Sequence, residues 1–211
     1  MGGDAVRIDR VVTSGKFELD GGSWDVDNNV WVVGDEDEVI VIDAAHDAGK
    51  IVAGVAGRQV RAIVCTHAHN DHINVATELA ESLQAPIRLH PADEMLWQAL
   101  YPEARYQPLS DGERLAVAGT ELEVLHTPGH SPGCCSFHLP DATTVFTGDT
   151  LFQGGPGATG RSFSSFPTII ESIRTRLLTL PGDTEVRTGH GEATTIGTEA
   201  PHLADWIKSQ S

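Results

Sequence analysis

Thr66-His67-Ala68-His69-Asn70-Asp71-His72 is the stretch on which the reading of this chain turns. Three histidines and one aspartate crowd into it. An apolar run at 60–65 precedes it and reads as a β-strand. After it, Ile73, Val75, Ala76, Leu79, Ala80 and Leu83 recur with roughly helical spacing, which predicts a helix over 70–84. The polar cluster therefore sits on a turn at a sheet edge. Two positions apart in extended chain, His67 and His69 point the same way. Asp71 and His72 turn with the helix start and can face a second point. Imidazole and carboxylate are the ligands that Zn²⁺ and related metals accept. A helix N-terminus favours an acidic residue such as Asp71, but it does not account for three histidines beside it.

Working outward, residues 29–34 and 38–43 are β-branched runs separated by Asp35-Glu36-Asp37, a hairpin pattern. A short helix is expected at 50–57, a strand at 87–90 and a helix at 92–100, where Pro91 suits the start. The second half pairs strands 113–118 with 121–126 and 134–139 with 143–147. It ends with a helix at 167–178, a strand at 185–188 and a helix at 199–208. Three later fragments each place one metal-competent residue beside glycine just past a strand: Thr127-Pro128-Gly129-His130, Thr147-Gly148-Asp149-Thr150 and Thr188-Gly189-His190-Gly191. Glycine permits the close backbone approach that a crowded site needs. The glycine-rich segment 154–160 is too short for a domain boundary and better suits a site. A single domain over 1–211 is expected, with two stacked sheets and helices outside.

Thirty Asp and Glu against fourteen Lys and Arg give a formal charge of -16 over 211 residues. No Lys/Arg-rich stretch offers the clustered cations that nucleic acid or an anionic membrane requires, so neither is expected as a partner. The 40% hydrophobic content supports a substantial core. Three cysteines, Cys65, Cys134 and Cys135, make a poor disulfide framework and read as reduced thiols. The N-terminal residues lack a signal-peptide pattern, and no apolar run is long enough to span a bilayer. A cytoplasmic protein is the expectation.

The set His67-Ala68-His69-Asn70-Asp71-His72, His130, Asp149 and His190 resembles the metallo-β-lactamase superfamily in order and spacing. Asp43, closing Val39-Ile40-Val41-Ile42, matches that superfamily's early aspartate. The resemblance implies an α+β fold, a four-layer αβ/βα sandwich with metals at one edge of the sheets. It implies that His67, His69 and His130 bind one divalent ion, that Asp71, His72 and His190 bind a second, and that Asp149 bridges them. Zinc is the expected metal, with iron or manganese as alternatives. Asp149, and His72 after Asp71, are similar to the glyoxalase II branch. That branch implies cleavage of a thioester of glutathione, mycothiol or another small thiol, with Asp71 and Asp149 as catalytic groups. Two ions roughly 3.5–4 Å apart can hold a bridging hydroxide, formed from a water whose pKa is lowered toward about 7. Full glyoxalase II enzymes carry a further helical domain that grips glutathione. Only twenty-one residues follow His190 here, so that domain is expected to be absent. A mononuclear-iron persulfide dioxygenase and a lactone or small-phosphodiester hydrolase are the alternative activities.

The loop from Leu151 to Arg161 follows the bridging aspartate and is expected to wall the substrate pocket, with Arg161 and Phe152 as substrate-binding residues. Phe163 and Phe166 either line that wall or pack. His90, His126, His138 and His202 lie outside the motifs and read as structural or surface residues. His46, at a strand end after Asp43, is left open. Trp24, Trp31, Trp97 and Trp206 read as packing residues.

Overall fold

The computed structural model describes residues 6–209. Strand β3 (Glu38–Ile42) shows why the sandwich forms. After Glu38 its side chains are apolar on both faces, so both faces must be covered. Val39 and Val41 pack with Ile51 and Val55 of helix α1 (Ala48–Val55) and Leu79 of α3 (Ala76–Leu83). Ile40 and Ile42 face the other way and join Phe137 and Leu139 of β9 (Cys135–Leu139) and Phe146 of β10 (Thr144–Gly148). A third cluster covers the far side of the second sheet with Ile169 and Ile170 of α5 (Phe166–Ser172) and Trp206 of α7 (Leu203–Ser209). Helices, sheet, sheet, helices is thus the order of layers.

The first sheet runs β1 (Arg7–Leu19), β2 (Gly22–Gly34), β3, β4 (Gln59–Val64), β5 (Ile87–Leu89) and β6 (Gln107–Pro108). The second runs β14 (Thr194–Thr195), β13 (Glu185–Thr188), β10, β9, β8 (Thr120–His126) and β7 (Arg114–Val117). β10 and β13 are parallel, and β8 shares their direction because β9 is antiparallel to both β8 and β10. The ends of β8, β10 and β13 therefore open at one edge. There the two sheets are tied together by Asn29 N to Gly189 O (2.7 Å) and Cys135 N to Thr66 O (2.8 Å).

Four elements differ from the sequence expectations. β1 and the first half of β2 form a long hairpin that the pattern did not reveal. Its turn is Asp20-Gly21, both with left-handed φ (52° and 77°), as a two-residue hairpin loop requires. The helix expected over 70–84 is broken into α2 (Asn70–Ile73) and α3. Ala44 enters the gap: its N–H bonds His72 O at 2.8 Å and its carbonyl accepts from Val75 N at 3.2 Å. Those groups are taken from the helical ladder, so it stops. The last helix is likewise two pieces, α6 (Ile196–Glu199) and α7, with Pro201 between. Part of the glycine-rich segment pairs as β11 (Leu151–Phe152) with β12 (Gly155–Pro156). No helix among the described residues is long and apolar enough to cross a membrane.

Phe137 is fully buried between the sheets. Phe137→Ala should lower unfolding free energy by about 3–5 kcal/mol. Urea denaturation at saturating metal would measure it, and a change near zero would mean that the two sheets do not depend on this contact.

Candidate metal centre

Loops at the ends of β4, β8, β10 and β13 bring all seven expected residues together. His67, His69 and His130 each offer one ligand atom within 4.8 Å of the others; so do His67, His72 and Asp149, and so do Asp71, His72 and His190. His67 Nε2 lies 3.0 Å from His69 Nδ1, His72 Nε2 3.2 Å from His190 Nε2, and His190 Nε2 3.3 Å from both Asp71 Oδ2 and Asp149 Oδ2. His72 Nε2 is 3.3 Å from Asp149 Oδ1, and His130 Nε2 is 3.6 Å from Asp149 Oδ2. Tetrahedral bonds of about 2.0–2.1 Å place donor atoms roughly 3.3 Å apart, so these spacings suit a cation such as Zn²⁺.

The histidines are set for this from behind. Asp43, buried at the end of β3, accepts from Thr66 N (2.7 Å), Thr66 Oγ1 (3.0 Å) and His72 Nδ1 (2.8 Å). Because Thr66 Oγ1 donates to Asp43, it accepts from His67 Nδ1 at 3.0 Å. His130 Nδ1 donates to Ala158 O and His190 Nδ1 to Asp27 O, both at 2.8 Å. Four imidazoles thus spend Nδ1–H on the scaffold and turn Nε2 toward the centre. Meanwhile His69 Nε2, His130 Nε2 and Asp149 Oδ1 are buried with no hydrogen-bond partner among the described residues. Unpartnered buried donors and acceptors are costly, and a metal ion would satisfy them. The residues present fit the group.

Charge is divided unevenly across the site. Burial, reinforced by neighbouring imidazoles, pushes His67 well below its ordinary range and His69 down to about 3. Burial also opposes protonation of His72 and His190, but Asp71 and Asp149 outweigh it, with Asp43 adding to His72. His72 is held well above its ordinary value and His190 rises to about 10. For Asp149 the facing His190 and His72 overcome burial and hold the carboxyl well below the usual carboxylate range.

Several neighbours were not read from the sequence. Asp93 is buried and accepts from Ala68 N (2.9 Å), Ser131 Oγ (2.7 Å) and Gly133 N (2.5 Å), joining the loop that carries His67 and His69 to the one that carries His130. Asn28 Nδ2 donates to Asp71 Oδ2 at 3.1 Å, while Asn28 Oδ1 accepts from His46 Nε2 at 2.9 Å. His46 Nδ1 in turn accepts from Asn74 Nδ2 at 2.9 Å. His46 therefore stands behind the donor set and outside it. Gly189 is required for space: a Cβ there would lie 2.3 Å from Asp149 Oδ1 and 2.8 Å from His72 Cε1.

A cavity of about 250 Å³ reaches His69, His130 and Asp149. Phe17, Leu19, Trp24 and Val26 of the β1–β2 hairpin form one wall, and Phe152, Ala158 and Arg161 another. The expected loop does line the pocket through Phe152 and Arg161. Trp24 corrects the packing expectation: it is 41% exposed and belongs to the cavity. Phe163 is exposed, and Phe166 packs against the α5–α7 cluster. His90 and His126 stack on each other at 4.0 Å, outside all three donor groups. Cys65, Cys134 and Cys135 are free and buried.

Residues 24–190 match the Metallo-beta-lactamase superfamily. The chain belongs to that superfamily. Hydroxyacylglutathione hydrolase GloC of Haemophilus influenzae is 33% identical over 181 residues, covering 78% of this chain and 85% of its own. The crystal structure of TTHA1623 in a di-iron-bound form superposes with a TM-score of 0.75 at 34% identity, over 83% of this chain and 93% of that one. ETHE1 from Myxococcus xanthus superposes with a TM-score of 0.72 at 26% identity, over 90% and 83%. As a superfamily member, the chain is placed among proteins that are mostly metal-dependent hydrolases, and its His/Asp cluster is the candidate metal site.

Two outcomes follow for metal uptake. A cation entering beside His72 and His190 must displace the protons that Asp71 and Asp149 hold there, on His190 up to about pH 10. Zn²⁺ affinity, measured with a competing chelator, should rise between about pH 7 and 9 by up to tenfold per pH unit for each proton displaced; a flat profile would contradict this charge pattern. Asp43→Asn puts an NH₂ where donors already converge and should cost about 10–100-fold in metal affinity with the circular dichroism spectrum unchanged. Wild-type affinity in that variant would remove Asp43 from the account.

Proposed function

We propose that this superfamily member is a metal-dependent hydrolase that cleaves the thioester of a low-molecular-weight thiol, in the manner of the glyoxalase II branch. The observation that carries this is the completeness of two donor sets around one carboxylate, Asp149. In this reading His67, His69 and His130 would hold one cation and Asp71, His72 and His190 the other, with Asp149 placed between the two sets. Zinc is the proposed metal. The di-iron form of TTHA1623 makes iron the first alternative, with manganese after it. The buried reduced cysteines suit the cytoplasm as the compartment.

When bound, divalent ions supply an acidified water and an electrophile for the carbonyl oxygen. The chain's own residues do the rest. Asn28 holds Asp71 by Oδ2 and leaves Oδ1 without a partner. Burial opposes ionisation of Asp71, but His72, the His190 hydrogen bond and Asn28 prevail and keep the carboxyl below its ordinary value. It is therefore ionised at neutral pH, and Oδ1 is free to take the proton of the attacking water. Returning that proton to the departing sulfur completes the exchange of thioester and water for acid and thiol. Phe17, Leu19, Val26 and Phe152 give the acyl group an apolar enclosure.

Asp71→Asn and Asp149→Asn should each lower turnover by about 10²-fold or more, with the greater metal loss in the second. Thiol release and elemental analysis on the same samples would read both, and full metal with full turnover in both variants would refute the assignment. The likeness to ETHE1 supports one rival, oxidation of a persulfide at a single iron. Oxygen uptake with glutathione persulfide, without thiol release from any thioester, would decide for that rival.

A further inference from the structure

Of the described residues lining the cavity, Arg161 is the one lysine or arginine. Its guanidinium carbon lies 3.9 Å from the Trp24 ring centroid and 5.2 Å from that of Phe17, and those two rings stack at 5.6 Å. Its backbone is fixed by Ser164, whose Oγ accepts from Arg161 N and donates to Arg161 O. Yet no carboxylate pairs with it directly; Asp20 senses its charge only from beyond ion-pair distance. Asp20, across the hairpin turn, gives both carboxylate oxygens to Ser162, through N (3.0 Å) and Oγ (2.7 Å). Among the described residues Arg161 forms no ion pair within 4.0 Å, whereas nine of the eleven arginines do. The other exception, Arg105, is on the exposed surface. In a chain of charge -16 even exposed arginines find carboxylates, so a half-buried one left unpaired in the cavity is a specific feature.

A guanidinium held over an indole face still has edge N–H donors for a planar anion, which it can grip bidentately. Beyond the donor residues and the two serines beside Arg161, Ser162 and Ser164, the wall is apolar, with Phe17, Leu19, Val26 and Phe152. The cavity volume of about 250 Å³ falls short of the roughly 300–1,000 Å³ of sites that take a drug-sized ligand, so it accepts part of a substrate. We propose that Arg161 is a subsite for a carboxylate, and that the substrates are small molecules carrying a carboxylate next to an apolar portion. This rests on the hydrolase reading only in treating the cavity as the substrate site. The alternative is a clamp: Arg161 pinning the hairpin to the 161–164 loop with no ligand of its own.

Binding of uncleavable thioethers to the metal-loaded protein separates these. One calorimetric pair is S-methylglutathione and its dimethyl ester, which differ in carboxylates on the thiol side. The other is S-(3-carboxypropyl)- and S-butyl-N-acetylcysteamine, which differ on the acyl side. In at least one pair the acid should bind about tenfold or more tighter than its neutral partner, the weight of one charge-assisted hydrogen bond. Arg161→Gln should abolish that difference, and Arg161→Lys should keep only part of it. The pair that responds tells which side of the substrate carries the anion. If neither pair shows the difference, or if Arg161→Gln weakens acid and neutral partner alike, the inference falls and Arg161 is a clamp. If the pattern holds while no thioester is turned over, the thioesterase reading fails and the carboxylate subsite stands.

Discussion

One buried carboxylate backs both halves of the site. Asp43 sits at the end of β3 with a left-handed φ of 67° and takes three hydrogen bonds from Thr66 and His72. That one residue fixes the tautomer of His72 directly and of His67 through Thr66. It therefore orients a donor in each half of the centre. Without it, four backing bonds would become two, and the imidazoles nearest the sheet would be free to turn. A rigid frame is needed because catalysis at such a centre depends on ligand geometry held within fractions of an ångström.

The site is assembled from parts with different duties. The His/Asp groups stand on loops pinned between two sheets, where Asp93 and Asp43 cross-link successive turns. The facing wall is the far half of a long hairpin, held by Asp20 to Ser162 and by Trp24 against Arg161. The donor groups thus stand on the core-facing side, and the outer wall of the cavity is built from the hairpin and the 151–161 loop. Members of one fold family can exchange the second without disturbing the first.

What was legible in the sequence was local. Histidines two and five residues apart, and single residues beside glycine past strand ends, carry their meaning within a few positions, so the donor set and the layer order could be read. What was missed depends on distant contacts. Arg7–Leu19 hides its strand character because its outer half leaves the core: Ser14, Lys16 and Glu18 are exposed on one face, and Gly15, Phe17 and Leu19 are only half-buried on the other. The break at Asn74 comes from Ala44, some thirty residues earlier in the chain, taking the groups of His72 and Val75. Asp93 reads as an ordinary acidic residue at a helix start, although its oxygens serve two site loops. Trp24 reads as core because tryptophan usually is; only the Asp20-Gly21 turn, visible as a hairpin signal, could have placed it over the site.

The central claim is that this His/Asp set holds divalent ions and uses them to hydrolyse a thioester. Stripping the protein with a chelator and titrating zinc back while following thiol release tests it most directly. The account predicts no turnover in the stripped protein and a rise that levels off at about two equivalents of zinc. Turnover indifferent to metal, or none with both positions filled across a panel of acyl-thiols, would contradict it.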